Sequence, residues 1–228
     1  MKKVVGILVL ATLSTVAFAA SNREDAVKRL QMSGEVMHDM MGTADKGIPD
    51  EVLQGSKCIA VVPHLLKGGF VFGAKHGRGV ATCKLASGAW SAPAFISVGG
   101  GSWGLQIGAE SVDLIMVIMN EKGMEHLLSS KFQVSGEGSA AAGPVGRHAS
   151  AGTDWKLDSE MLTYSRAKGA FAGLTLEGAV IQPDDDSTKA IYGKDIPFRN
   201  ILMGKVATPE VAKTFISSIS TAQRQAKK

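Results

Sequence analysis

From Lys57 to Asn120 the chain is a succession of short runs with period-two or continuous apolar character: Gly69 to Lys75, Gly79 to Leu85, Trp90 to Val98, Leu105 to Ala109 and Val112 to Met119. Gly77, Gly79, Gly88 and Gly99-Gly100-Gly101 punctuate them. Alternating side chains line opposite faces of a pleated strand, and glycines between such runs mark corners or bulges. The expected core is therefore an antiparallel sheet, barrel-like or sandwich-like. Strand character returns at Phe132 to Val134, Ala149 to Leu157, Met161 to Ala167 and Phe171 to Ile181.

Helices are expected at both ends, giving an α+β class. Ser21-x-x-Glu24 reads as a capping box, after which Ala26, Val27, Leu30, Met37, Met40 and Met41 recur at helical spacing until Gly42 and Gly47 break the pattern. The polar side of this amphipathic helix carries Arg23, Lys28, Arg29, Glu35 and Asp39. A helical turn follows Pro49, and Asn120 caps a short helix through Leu128. The acidic run Asp184-Asp185-Asp186 suits the N-terminus of a helix over Ser187 to Tyr192, and it lacks the glycine and terminal glutamate of an EF-hand loop. Thr208 as N-cap with Pro209 at the first helical position opens a last helix, with Val211, Ala212, Phe215, Ile216 and Ile219 on one face.

The first residues have a different use. Met1-Lys2-Lys3 is a positive start, Val4 to Val16 an apolar run, and Ala17-Phe18-Ala19 an A-x-A cleavage site. This pattern is a secretory signal, and its apolar run is shorter than the roughly 20 residues of a membrane-spanning helix. Residues 1–19 are thus expected to be removed, leaving 20–228 as one domain in the periplasm or secreted. No cysteine stands near the cleavage site to form a lipobox. Loss of Lys2 and Lys3 lowers the formal net charge of +4 by two, and the remaining cations are scattered. Nucleic acid wants a clustered basic stripe with interleaved aromatics, so it is not an expected partner.

Cys58 and Cys83 both lie in strand-like runs, and in an oxidising compartment they are candidates to pair. The other reading is two buried thiols. His64 and His76 fall at no recognisable ligand spacing from them, so no metal or other cofactor is expected. The run Gly99-Gly100-Gly101-Ser102-Trp103-Gly104 satisfies both G-x-G-x-x-G and G-x-S-x-G. Each motif needs a helix after its glycines, whereas Leu105 to Ala109 alternates like a strand. A serine hydrolase built on Ser102, with His126 or His148 and Asp113 or Asp154, remains a remote alternative.

Longer strings are more distinctive than these spacings. In order they are Gly68-Gly69-Phe70-Val71-Phe72-Gly73, Gly77-x-Gly79-Val80, Trp90-Ser91-Ala92-Pro93-Ala94-Phe95, Gly108-Ala109-Glu110 with Asp113, Ala141 to Arg147, and Tyr164 to Gly173 through Leu176-Glu177-Gly178. Over about Ala26 to Ala222 the chain resembles the SYLF domain family of lipid-binding proteins. The resemblance implies a non-enzymatic domain with affinity for acidic phospholipids, in some relatives through an amphipathic N-terminal helix; eukaryotic members also bind actin. The leader would put cytoplasmic actin and phosphoinositides out of reach, and the appended SH3 or FYVE module of several relatives is absent from this sequence.

The expected ligand is an anionic lipid or membrane surface of the envelope, with an envelope protein as the alternative partner. Candidate lipid contacts are Lys28 and Arg29 on the first helix, Lys67, Lys75 and Arg78 around the glycine-rich hairpin, and Arg147, Arg166 and Lys168 in the family strings. For the last three a second reading is equally open: pairing with Glu110, Asp113 and Glu177 in a buried network, because ionic groups among apolar strands need partners. The apolar stripe of the first helix has two readings as well, membrane contact or core.

Overall fold

A computed structural model describes residues 2–42, 47–69, 72–103, 108–129, 131–134, 140–143, 159–167, 170–172, 176 and 178–226. Helices α1 (Lys2–Gly42) and α2 (Asp50–Gly55) precede four long strands, β1 (Cys58–Gly69), β2 (Phe72–Cys83), β3 (Ala94–Trp103) and β4 (Gly108–Ile118). Helix α3 (Glu121–Leu127) leads to β5 (Phe132–Gln133), β6 (Ala141–Ala142), β7 (Met161–Ala167), β8 (Ala170–Ala172) and β9 (Ala179–Pro183). The chain closes with α4 (Asp185–Tyr192), α5 (Phe198–Leu202), a 3-10 turn (Glu210–Ala212) and α6 (Lys213–Gln225).

The described strands form one sheet in the order β5-β9-β3-β2-β1-β4-β7-β6, with β8 also on β7. All pairs are antiparallel except β6 with β7. The sheet curls into a half-barrel with terminal helices, so the expected α+β class and antiparallel core hold. Period-two alternation sorts the side chains onto its two faces. Ile59, Val61, Val80, Phe95, Ile115, Val117, Leu162 and Tyr164 pack under Ala26, Leu30, Met37 and Met40 of α1 and Phe215, Ile219 and Ala222 of α6. Ala60, Val62, Ala81, Ile96, Val98, Leu114, Met116 and Ile118 turn the other way, onto Leu127 of α3, Phe132 of β5 and Ile201 and Leu202 of α5. Each fully buried large apolar side chain contributes about 1.5–3 kcal/mol relative to exposure. The apolar stripe of α1 is therefore spent on the core.

Several boundaries differ from the sequence expectation. Gly99-Gly100-Gly101 is not a corner but the middle of β3. A Cβ on Gly100 would lie 2.6 Å from the Gly178 carbonyl oxygen, so glycine there lets β9 close on β3. Gly79 lies inside β2 for the same kind of reason, its Cβ position being 2.3 Å from the Val61 carbonyl oxygen. The run Phe171 to Ile181 divides into β8 and β9. Ser21 sits within α1 and not at its start. Pro209 is extended, with ψ 150°, and the 3-10 turn begins one residue later. The expected strand from Ala149 to Leu157 lies outside the described residues.

Cys58 and Cys83 are joined by a disulfide directly across β1 and β2. Lys84 donates its amide to the Lys57 carbonyl at 2.7 Å, which leaves Cys58 and Cys83 as a non-hydrogen-bonded pair, where opposing Cα atoms come closest. A cross-link over a separation of 25 residues restricts the unfolded chain and stabilises the fold by about 3 kcal/mol.

Candidate functional site

Among the described residues, the cations singled out in the sequence include one set drawn into contacts with other elements and one along a hairpin. Arg29 belongs to the first. Its Nη1 donates to Asp184 Oδ2 at 3.1 Å and to Ser187 Oγ at 2.9 Å, and its guanidinium lies over the Phe95 ring, 5.8 Å from the centroid. Asp184 is also the N-cap of α4, its Oδ1 accepting the Ser187 amide at 3.1 Å. Burial pulls the Arg29 pKa below its ordinary value, against the opposing attraction of Asp184. From earlier in α1, Arg23 donates to the Ala190 carbonyl at the other end of α4. Two arginines thus hold both ends of one short helix.

Arg166 is the centre of a second, partly exposed network. It donates to Asp39 of α1 at 2.7 Å and to Asp113 of β4 at 3.0 Å, and the hydrogen bond to Asp39, joined by the one to Asp113, raises its pKa against burial. Asp113 reaches further, accepting the His64 amide at 3.1 Å. His64 has φ +52° where β1 bulges between Val62 and Leu65, and a non-glycine residue in the left-handed region is held there by its surroundings. Of the carboxylates named for it, Arg166 pairs with Asp113, and it pairs with Asp39 of α1 besides. Pro63-His64, in the middle of an apolar run, is the sequence signal that would have pointed to this bulge.

The second group lies on β1 and β2. Lys67 stands directly opposite Lys75 on one side and Glu110 on the other, with Nζ 3.5 Å from Glu110 Oε2. His76, opposite Leu66, is exposed, and half-exposed Arg78 reaches Asp184 at 3.7 Å. Lys28 is exposed on α1. Arg147 and Lys168 lie outside the described residues. Sequence reasoning passed over Leu66, which is 57% exposed. A leucine in an alternating run gives no sign of which face is covered.

Two other features bear on chemistry. Ser102 lies in β3, in register with Gly73 of β2, so the strand-turn-helix of a nucleophile elbow does not occur there. Between α1 and α6 runs an open groove of about 480 Å³ lined by His38, Met41, Lys213, Thr214, Ser217, Ser218 and Thr221 among others. Among the residues whose side chains are described, no helix is long and apolar enough to cross a membrane.

Residues 99–222 match the Ysc84 family, described as "Las17-binding protein actin regulator". Over 172 residues the chain is 35% identical to SH3 domain-containing protein PJ696.02 of Schizosaccharomyces pombe, covering 74% of this chain and 40% of that one. It is 33% identical to Protein YSC84 of Saccharomyces cerevisiae, covering 74% and 36%. With SH3 domain-containing YSC84-like protein 1 of Rattus norvegicus it shares 31% identity over 170 residues, 74% and 50% of the two chains. The matched stretch spans half or less of these relatives' length.

Proposed function

The chain belongs to the Ysc84, or SYLF, family, and we propose that it is a non-catalytic binding module for anionic phospholipid surfaces, working in the bacterial envelope after removal of its leader. The observation that carries the reading is the placement of Lys67, Lys75, His76 and Arg78 along one hairpin, where Lys67 and Arg78 each stand beside a carboxylate, whereas Arg29 is buried against α4. Lysines and arginines near an anionic leaflet each contribute about 1 kcal/mol. Attraction of this kind is screened over about 8 Å at physiological ionic strength.

A second reading has its own support: the family description names binding to Las17, which makes a protein partner the alternative ligand for the same module. The mature chain should sediment with vesicles containing phosphatidylglycerol more than with phosphatidylcholine alone, and added salt should narrow the difference. Equal and negligible sedimentation with both at low salt would remove the lipid reading and leave the protein partner.

A further inference from the structure

On the helix-bearing face, the side chains of the sheet turn from buried to exposed between Val80 and Arg78 on β2 and between Asp113 and Ser111 on β4. Beyond that line one rung crosses four strands as Gly99, His76, Leu66 and Ser111. His76, Leu66 and Ser111 are all exposed there. β1 reaches the rung through its bulge, where His64 takes φ +52° and donates its amide to Asp113 Oδ1 at 3.1 Å. The His64 side chain is 67% exposed, with Nδ1 3.7 Å from the same oxygen. The other oxygen of Asp113 accepts from Arg166 of β7, which also donates to Asp39 of α1. His76 stands between Leu66 of β1 and Gly99 of β3, with half-exposed Arg78 two residues along its own strand. Lys67, Lys75 and Glu110 alternate onto the opposite face.

We propose that His64 and His76 make this hairpin an acid-strengthened membrane contact: protonation of the two exposed rings adds positive charge to the surface that meets anionic lipid, and attachment tightens as pH falls. The inference rests on the lipid reading above and names how that same hairpin is regulated. Histidine is the side chain whose charge ordinarily changes between about pH 5 and 8, whereas lysine and arginine keep theirs throughout that range. Each proton taken up raises the charge of the surface by one, whatever the neighbours carry. His64 is also an uncommon choice for its backbone. A left-handed position is ordinarily filled by glycine or asparagine, which have no charge to gain, and a bulkier residue kept there points to a use for its side chain.

The test is sedimentation of the full chain with vesicles of phosphatidylglycerol and phosphatidylcholine, whose phosphodiesters stay ionised, at about pH 7.5 and about pH 5.5. Each cation added near the leaflet is worth about fivefold in partitioning, so the wild-type chain should bind more than about tenfold tighter at the lower pH. Phosphatidylcholine alone should show no such response. His64→Asn combined with His76→Gln should remove most of the difference; asparagine accepts the left-handed backbone at position 64. His38→Gln, on α1, should keep it. His76→Lys supplies a fixed charge and should raise binding about fivefold at the higher pH while narrowing the response. Circular dichroism checks the folding of each variant. Equal wild-type binding at the two pH values, a folded double variant with the full response, or His76→Lys binding no better than wild type at the higher pH overturns the histidine switch while the lipid reading stands. Failure of the wild-type chain to sediment with phosphatidylglycerol vesicles at either pH removes both.

Discussion

Arg29 is 6% exposed while its neighbour Lys28 faces solvent, although both read from the sequence as the cationic side of one amphipathic helix. The difference arises 155 residues away, where Asp184 needs a counter-charge at the start of α4. No local pattern reports such a partner. Removing one member of a buried ion pair strands the other, at a cost of about 3–5 kcal/mol. Arg29→Ala should therefore lower the unfolding free energy by roughly that amount, with Arg78, 3.7 Å from Asp184, keeping it at the lower end. Lys28→Ala should change it by no more than about 0.5 kcal/mol. Urea unfolding of the two variants compares them directly, and equal losses would mean that Arg29 clamps nothing. Arg166 carries the same lesson, since the family string marked the residue but only register placed it opposite Asp113.

Elements with local determinants were legible in advance. Asn120 caps α3 by accepting the Gly123 amide at 2.9 Å, and Asp184 caps α4, because a cap and its target lie within one turn of chain. The glycines of β3 were misread because their reason, the close approach of Gly178, lies far along the sequence. Contact between α3 and the head of β7 is of this long-range kind. Glu160, almost fully buried, sits 2.6 Å from both Lys122 Nζ and His126 Nδ1, and its backbone carbonyl accepts the Met119 amide. Burial pushes the Glu160 carboxyl up, but the hydrogen bonds from Lys122 and His126 outweigh it and hold the group below the usual range. A carboxyl depressed in the folded state stabilises fully above its unfolded value of about 4.3 and loses that contribution as pH falls through the folded value. Glu160→Gln should thus be less stable than wild type near neutrality, and the gap should close as pH drops below about 4. Urea midpoints across that range check it; a gap independent of pH would mean that the ion pairs contribute nothing.

At the scale of the molecule, the alternating runs between Lys57 and Asn120 were enough to set an antiparallel sheet with terminal helices. They left open how many of its faces were covered. Both are, and α1 supplies much of one: Leu30 is 1% exposed and Met37 fully buried. The two readings of its apolar stripe therefore make opposite predictions for the same substitutions. As core residues, Leu30→Ser and Met37→Ser should each cost about 2–5 kcal/mol, through lost apolar contact and the cavity left behind. The protein that remains folded should bind anionic vesicles with wild-type affinity and wild-type salt dependence, since neither side chain reaches the surface. Thermal unfolding monitored by circular dichroism gives the first quantity, and sedimentation well below the variant's melting temperature gives the second. A variant that melts like wild type yet loses its salt-resistant binding would identify α1 as the inserting element.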